Sequence, residues 1–158
     1  MFPDAFTQRL TALYPGAAGA AVLESMRRSK AAALWDNPLR PGTVDTLCND
    51  LGVAVRHVLP GVSRLIGGQR DDVMRHPLVV SGALYPINPG SVVAARALDV
   101  RPGQQVLDLA AAPGGKSLQL AAALMRDGQP SGRLALVEPV TPRFHRLRAN
   151  MERCGVRQ

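Results

Sequence analysis

Two acidic residues and a loop of small residues are spaced so that they could hold a nucleotide. The segment VLDLAAAPGGKSLQLA (Val106–Ala121) begins as an apolar strand, continues into a loop of Ala, Pro and Gly, and ends as a helix. Asp108 lies just before the loop, and Lys116 and Ser117 follow its glycines. A strand, a glycine-containing loop and a helix in this order form the nucleotide-binding unit of many α/β proteins. The loop therefore predicts a nucleotide site.

ATP or GTP is one candidate ligand, because residues 110–117 fit a relaxed P-loop spacing. In a P-loop the backbone amides and the lysine surround phosphates, and the serine, here Ser117, ligates magnesium. Ala110 occupies, however, the position of the first P-loop glycine, and the charge of Asp108 would oppose a triphosphate. No apolar run ending in Asp follows to hold the metal, unless LALVE takes that role. A P-loop stays an alternative interpretation.

S-adenosylmethionine is the other candidate, because it has no phosphate and carries a positive sulfonium and a positive amino group. An acid at the end of the first strand, Asp108, suits these charges directly or through water. Small residues let the loop backbone approach a ligand closely. In dinucleotide-binding folds an acid about 20 residues past the glycine loop accepts hydrogen bonds from the ribose, and Glu138 follows Gly115 by 23 positions. Since both acids are present, the sequence favours S-adenosylmethionine.

The cysteines and histidines show no arrangement that indicates a catalytic or metal site. Cys48 and Cys154 are expected to pack inside the protein, because both lie in or beside predicted helices. His57, His76 and His145 have no metal-ligand spacing and are expected to be structural or surface residues. No catalytic residue and no metal ligand is therefore assigned. Two cysteines without a disulfide framework also suggest a reducing compartment.

The first part of the chain is predicted to mix helices with short strands. Apolar spacing predicts helices over Phe6–Leu13 and Ala20–Leu34, separated by the turn YPGAAG. A short helix, TVDTLCND, is expected to begin at Thr43 and to stop at Gly52. The segment VAVRHV is predicted to be a strand, and PGVSRLIGGQRDD is predicted to be a loop.

The second part is more regular. Ser91 is the expected cap of a helix over SVVAARALD. VLDLA and GRLALVE are predicted strands, and helices are predicted over Lys116–Met125 and from Thr141, as N-cap, to Arg153. Strand, helix, strand, helix implies a parallel sheet with right-handed crossovers. The predicted fold class is α/β: a small N-terminal α+β domain, then the first half of a Rossmann-like domain with a truncated parallel sheet.

Charge and composition indicate an acidic partner. The chain of 158 residues is 46% hydrophobic and has a formal net charge of +7, carried by 17 Arg and 2 Lys. Such a balance favours nucleic acid as a partner, the alternative being a solvated basic surface. The chain contains neither an apolar run near 18 residues nor the basic start of a signal peptide. We therefore expect no membrane span and a cytoplasmic location.

Two segments resemble a family of RNA-modifying enzymes. VLDLAAAPGGKS, followed by GRLALVEPVTPRFHRLRANMERCGV, resembles the Nop/Sun (Fmu-like) RNA cytosine-5 methyltransferases, and most of all the bacterial branch that modifies 16S ribosomal RNA. SGALYPINPGSVVAARAL and FPDAFTQRL resemble the family's segment before the donor site and its N-terminal entry motif. An acid–Arg–Asn–Arg–Cys–Gly pattern supports the resemblance independently: Glu138, Arg143, Asn150, Arg153, Cys154 and Gly155.

The resemblance implies an S-adenosylmethionine-dependent methyltransferase that acts on RNA, which in this branch is ribosomal RNA. Residues 1–80 would be an N-terminal domain that grips RNA, and residues 81–158 a partial methyltransferase domain. Glu138 would hold the ribose of the donor, Asp108 would support the loop, and the pattern also marks Arg143. The loop residues would wrap the methionine and adenosine parts of the donor: Ala110, Ala111, Ala112, Pro113, Gly114, Gly115 and Lys116.

Several family features are replaced or absent in this chain. Pro86–Asn88 replaces a Gln-acid motif, and Trp35-Asp36-Asn37 replaces an Arg-X-Asn motif, which affects expected RNA contacts. The family uses one Cys thiolate to attack C6 of cytosine and a second to assist release, in Pro-Cys and Thr-Cys or Ser-Cys motifs that do not occur here. We therefore expect an N-terminal fragment that does not methylate RNA alone and that a second chain completes. A non-catalytic RNA-binding or assembly module is the alternative.

Overall fold

The computed structural model describes residues 2–27, 33–125 and 132–156, which fall into two compact units, Met1–Lys30 and Ala31–Gln158. The first unit contains helices α1 (Asp4–Leu13) and α2 (Ala17–Arg27). The helix predicted over Ala20–Leu34 is wrong at its end, because Ala33 and Leu34 belong to a strand. Residues 28–32 of that prediction lie outside the described residues.

The second unit begins with a four-stranded antiparallel sheet. Its strands lie in the order β2-β3-β1-β4, with β1 in contact with both β3 and β4. Leu34 of β1 pairs with Ser63 of β3 on one side and with Pro86 of β4 on the other. The strands span β1 (Ala33–Asp36), β2 (Ala54–Leu59), β3 (Val62–Ile66) and β4 (Leu84–Pro86).

Strand β3 lies in the segment PGVSRLIGGQRDD, so the prediction of a loop there is wrong. Pro60 and Gly61 form the two-residue connection of a hairpin, and Leu59 pairs directly with Val62. Gly61 has a φ of +63°, which suits glycine at this turn. In β3 the side chains of Arg64 and Ile66 are exposed while Leu65 is buried, so the strand has the alternation of a half-buried sheet. The Pro and Gly residues that predict a loop therefore lie before and after a short strand.

One face of this sheet is covered by short helices. Helix α3 (Val44–Leu51) ends at Gly52, whose φ is +61°, as the sequence predicts. Thr43 precedes α3 but makes no side-chain capping hydrogen bond. The helices α4 (Arg70–Arg75) and α5 (Pro77–Val80) follow β3. The buried cluster between the sheet and these helices contains Leu34, Val44, Leu47, Cys48, Leu65, Val73, Val79 and Leu84.

A second sheet consists of two parallel strands, β5 (Gln105–Asp108) and β6 (Arg133–Leu136). They pair in register from Gln105 opposite Arg133 to Asp108 opposite Leu136. Parallel pairing of these two strands confirms the arrangement that the alternation of strands and helices predicts. After β4 the described residues form the helices α6 (Pro89–Arg96), α7 (Gly115–Leu124) and α8 (Thr141–Arg153).

Two helix starts differ from the expectation. The cap of α6 is Asn88, whose Oδ1 accepts a hydrogen bond from Gly90 N at 2.9 Å, so Ser91 lies inside the helix. Asn88 followed by Pro at the first helical position is the stronger start signal. Thr141 is the first residue of α8, and Val140 occupies the cap position without a side-chain hydrogen bond.

The other face of the antiparallel sheet packs against the helices α7 and α8. Trp35, Val62 and Tyr85 contribute to one buried cluster with Leu118 of α7 and Leu147 of α8. Gly115, at the start of α7, lies against this sheet, because a Cβ placed on it would be 3.6 Å from Tyr85 Cε1 and 3.8 Å from Ile87 Cδ1. The antiparallel sheet therefore lies beside the loop that precedes α7. No helix within the described ranges is long and apolar enough to cross a membrane.

Candidate functional site

The loop of small residues connects the end of β5 to the start of α7. Ala111 and Ala112 are buried, whereas Ala110, Pro113 and Lys116 are exposed. Gly114 precedes the helix with a φ of +112°, a conformation that glycine adopts without strain. A Cβ on Gly114 would approach Leu147 Cδ1 to 3.2 Å, which is a tight contact against a buried side chain. The loop therefore needs glycine at this position both for its conformation and for its packing.

Asp108 holds this loop through both of its carboxylate oxygens. Ala110 N donates to Oδ1 at 3.1 Å, and the Ser117 hydroxyl donates to Oδ2 at 2.7 Å. The Ser117 side chain is completely buried and also lies 3.4 Å from the Ala111 carbonyl oxygen. Asp108 therefore connects the two ends of the loop.

Glu138 lies at the same edge of the sheet as the loop. Val137 N donates to the Asp108 carbonyl at 2.9 Å, and Ala111 N donates to the Val137 carbonyl at 3.2 Å. These backbone bonds bring the residue after Val137 to the loop. Glu138 Oε1 accepts a hydrogen bond from Val140 N at 3.0 Å, and Oε2 lies 3.3 Å from Arg143 Nη2. The Glu138 side chain is only 1% exposed, while that of Arg143 is 54% exposed.

Helix α8 holds the loop from the opposite side. Arg143 Nη2 donates to the Ala112 carbonyl at 3.2 Å, and Asn150 Nδ2 donates to the Pro113 carbonyl at 2.8 Å. The Ala112–Pro113 peptide bond is cis. Residues seven positions apart lie on one face of a helix, so Arg143 and Asn150 reach neighbouring carbonyls. The sequence pattern includes Asn150 but assigns it no role. Its spacing of seven residues from Arg143 indicates that both side chains lie on the same face of the helix, and both contact the loop.

The other arginines of α8 have different surroundings. Arg148 Nε pairs with Glu152 Oε1 at 2.8 Å on the outside of the helix. Arg153 donates to the Val79 carbonyl and to Asn150 Oδ1, and its guanidinium lies 5.7 Å from the centre of the Tyr85 ring. Arg146 is exposed. Arg143 and Arg153 therefore contribute to the internal structure of this region.

Asn37 joins the antiparallel sheet to the end of α8. Its Nδ2 donates to the carbonyls of Gly82 and Cys154, both at 2.8 Å, and its Oδ1 accepts from Leu39 N at 3.0 Å. The side chain is buried. The Trp35-Asp36-Asn37 segment, which departs from the family motif, therefore supplies a structural contact at its third residue.

Neither cysteine is placed for chemistry. Cys154 is completely buried, and burial raises the pKa of its thiol, although Arg153 and Arg40 act in the opposite direction. Burial also raises the pKa of Cys48, with contributions from Asp45 and Asp36. The expectation that both side chains pack in the interior is confirmed. A reactive cysteine needs a stabilised thiolate, and these surroundings favour the thiol.

The histidines make local contacts. His57 Nδ1 lies 2.8 Å from Ser63 Oγ, and His76 Nε2 lies 3.1 Å from Asp50 Oδ2. His76 Nδ1 also accepts a hydrogen bond from Leu78 N at 3.3 Å and so caps α5. The ring of His145 packs edge-on near that of Phe144. In the part of the chain that the structure describes, no three His, Cys, Asp or Glu residues are grouped as metal ligands.

The groups that a ligand can reach at this edge are few. Exposed loop residues provide backbone groups, and the first amides of α7 have no partner within the helix, as at every helix start. The carboxylate of Glu138 is buried beside Arg143, so a ligand reaches its remaining acceptor sites only when Arg143 moves. This set of small residues, amides and one acid can bind a hydroxyl-bearing or cationic ligand.

The comparison with known proteins gives matches in sequence and in structure. No family model matches the chain. Over 78 residues, 49% of this chain, it is 33% identical to tRNA (cytosine(72)-C(5))-methyltransferase NSUN6 from Mus musculus and covers 16% of that protein. Among solved structures, it is similar to a methyltransferase homologue from Pyrococcus horikoshii, with a TM-score of 0.78 and 24% identity, over 99% of this chain and 51% of the other.

A second solved structure is that of NSun6 from Pyrococcus horikoshii with SFG. Its TM-score is 0.81 at 14% identity, over 99% of this chain and 64% of that one. These structural matches confirm the predicted α/β fold with a partial Rossmann-like region. The sequence match supports a relationship to RNA cytosine-5 methyltransferases. This chain spans less than two thirds of the length of each of these three proteins.

Proposed function

We propose that this chain carries part of the S-adenosylmethionine site of an RNA cytosine-5 methyltransferase. The observation that supports this most directly is the backbone connection between Asp108, Ala111 and Val137, which brings Glu138 to the loop of small residues. A methyl donor with an adenosine part needs both features, a loop that its backbone can approach and an acid for the ribose.

The chemistry of the available groups fits this donor. A buried carboxylate is a strong acceptor for ribose hydroxyls, and Glu138 has acceptor capacity beyond its bonds to Val140 and Arg143. Arg143, which is half-exposed and covers Glu138, would move aside or share the carboxylate with the ribose. Residues 110–116 would enclose the rest of the donor. When bound, the donor supplies the methyl group, and these residues hold and orient it.

The same contacts weigh against a P-loop. In a P-loop Ser117 would ligate magnesium, but its hydroxyl is buried and donates to Asp108 at 2.7 Å. Asp108 would also place a negative charge directly behind bound phosphates. Lys116 is exposed and can approach either ligand. The Asp108–Ser117 contact therefore favours a ligand without a triphosphate.

RNA is the substrate class that the relatives support. The similar mouse protein is by its name a tRNA cytosine methyltransferase, and the similar archaeal structure contains SFG, an analogue of S-adenosylmethionine. The motif resemblance favours 16S ribosomal RNA as the target. A cytoplasmic location follows from that target. The net charge of +7 is consistent with a polyanionic substrate.

The chain alone is not expected to transfer the methyl group. Both cysteines are buried and their thiol pKa values are raised, whereas the family attacks cytosine with a thiolate. We propose that further strands and the catalytic thiols come from additional polypeptide, for example a second chain. Labelled methyl groups appearing in ribosomal RNA with the chain alone would refute this expectation.

Calorimetric titration with S-adenosylmethionine and, separately, with magnesium-ATP tests the ligand. We expect the methyl donor to bind weakly and magnesium-ATP not to bind. Glu138→Gln keeps the shape of the side chain and should weaken donor binding at least about tenfold, because it removes a charged acceptor. Glu152→Gln is the matched control, since Glu152 lies on α8 and pairs outward with Arg148.

Three results would each contradict a part of the proposal. Magnesium-dependent ATP binding without donor binding would favour the P-loop interpretation. Equal donor affinity for Glu138→Gln and the original chain would exclude the ribose role of Glu138. Salt-sensitive RNA binding without donor binding would favour the non-catalytic RNA module.

A further inference from the structure

Two arginines lie directly opposite each other on the antiparallel sheet. Arg56 of β2 pairs in register with Arg64 of β3, so both side chains project from the same face. Both are exposed, and neither makes a salt bridge or hydrogen bond within residues 2–27, 33–125 and 132–156. Like charges directly opposite in an antiparallel pair destabilise the sheet. An arrangement that costs stability without an internal partner points to an external anion.

The residues that pair beside these arginines on the same face of the sheet are apolar, and neither arginine forms a salt bridge with an acid of the described residues. The next pair on the same face is Ala54 with Ile66, and Ile66 is largely exposed. On the other side, Arg64 pairs with Ala33 of β1. The acid Asp36 interacts with His57, whose side chain projects from the opposite face. The guanidinium groups are therefore not neutralised by a carboxylate on their own face.

This face of the sheet continues to the candidate donor loop. Ala33 accepts a hydrogen bond from Ile87 N at 2.9 Å, which places Ile87 next to it across β1 and β4. Ile87 lies against Gly115 at the start of α7. Neighbouring strands are about 4.8 Å apart, so Arg64 lies roughly 10 Å from the strand that touches the loop. A linear polymer bound at the two arginines can therefore extend to the loop.

We infer that Arg56 and Arg64 form a phosphate-binding site for an RNA strand, with Ile66 beside it as an apolar contact for a ribose or base. The assignment of RNA as the occupant rests on the proposed function. Two guanidinium groups side by side match successive phosphates of a strand, and each presents several donors to phosphate oxygens. The site positions RNA and reads no sequence, because phosphate contacts carry no base information.

The test is the salt dependence of RNA binding, measured by fluorescence anisotropy with a labelled single-stranded RNA of mixed sequence. For a single strand, each lost phosphate contact lowers the slope of log K against log salt by about 0.7. We expect this reduction for Arg56→Gln and for Arg64→Gln, and about twice that value for the double variant. The double variant Arg56→Lys, Arg64→Lys keeps both positive charges and should therefore keep most of the original slope.

Matched controls separate a site from general positive charge. Arg75→Gln and Arg101→Gln remove the same charge from arginines that are paired with Asp71 and Asp99. These controls should leave the slope within about 0.3 of the original value, well below one phosphate contact. An equal decrease in controls and in Arg56 or Arg64 variants would overturn the inference.

Two further measurements distinguish an RNA site from a structural role of the arginines and from binding of a different polyanion. The thermal midpoint of Arg64→Gln should be equal to or above that of the original chain, because a like-charge contact is removed; a lower midpoint would mean a structural role. Binding to phosphatidylserine vesicles or to polyglutamate with the same arginine dependence, and not to RNA, would also refute the inference. Donor binding is titrated separately, so a failed donor site with arginine-dependent RNA binding would refute the proposed function alone.

Discussion

At the residue scale, Gly82 shows how closely the antiparallel sheet region and the end of α8 approach each other. Its φ is +81°, and a Cβ there would lie 2.7 Å from the Arg153 carbonyl oxygen and 3.0 Å from Cys154 Cα. Those atoms are backbone and cannot rotate away. We expect Gly82→Ala to lower the free energy of unfolding by roughly 3 kcal/mol or more, as strain and overlap add. Urea denaturation followed by circular dichroism measures this loss.

Gly103→Ala is the control for this prediction. Gly103 has a similar φ of +88°, but nothing lies within 4 Å of the Cβ that it would gain. It should therefore cost only the backbone strain, about 1–2 kcal/mol. Equal losses for the two variants would mean that the close approach at Gly82 relaxes freely.

Residue types and spacing predicted the two acids of the candidate site but not their orientation. Asp108 ends β5 and Glu138 follows the end of β6 by two residues, and the carboxyl ends of parallel strands meet at one edge of a sheet. Nothing in the sequence indicates that Asp108 uses both oxygens on Ala110 and Ser117. The contact of Asn150 with Pro113 also depends on how α8 packs. Tertiary packing, which no local pattern encodes, decides these partners.

At the element scale, the end of β1 carries a carboxylate in an unfavourable place. Burial raises the pKa of Asp36; a backbone hydrogen bond from Val44 lowers it, Asp45 raises it and His57 lowers it. Its Oδ1 is buried and has no hydrogen-bond partner within the described part of the chain. A folded pKa above the ordinary value means that the folded protein binds this proton more tightly than the unfolded chain. The contribution of Asp36 to stability therefore falls as the pH rises from about 3.8 through the folded pKa.

Asp36→Asn should remove this pH dependence. At pH 7 we expect the variant to gain about 1 kcal/mol of unfolding free energy, since the buried charge is gone. Well below pH 3.8 the side chain of the original protein is protonated in both states, so the difference should shrink towards zero. Thermal unfolding of both proteins at pH 7 and at a pH well below 3.8 measures this difference in stability. A difference that is the same at both pH values would contradict the assignment to ionisation.

The elements themselves were predictable where the sequence pattern was long. The strands β5 and β6 and the helices α7 and α8 appear where apolar runs and helical spacing predict them. The errors fall on short strands: β1 continues a helical pattern at Ala33, and β3 stands between Pro-Gly and Gly-Gly turns. Such strands are stabilised by their neighbours in the sheet. The partners of β1 lie between 27 residues away (Trp35 with Val62) and 52 residues away (Leu34 with Pro86), so a local pattern does not show them.

At the scale of the whole molecule, the parallel sheet has one bare face. None of the residues of β5 and β6 is fully buried. Leu107 and Leu109 point to one side, with Val137 beyond β6, and they are 59%, 69% and 42% exposed. Parallel sheets normally have both faces covered, and a contiguous apolar patch favours association. The other face packs on the helices, where Val106 and Leu134 contact the cluster around Leu120.

This bare face predicts the behaviour of the chain in solution. We expect the chain to bind the neutral dye Nile red and to self-associate as its concentration rises, both measured on the intact protein, the second by sedimentation velocity. A double variant with Leu107→Thr and Val137→Thr should reduce both signals without lowering the thermal midpoint, because these side chains contact solvent and not the core. Leu98→Thr, at a separate exposed leucine after α6, should change neither. If the original chain stays monomeric and binds no dye, the apolar face is shielded in solution, and the need for additional polypeptide to cover it disappears.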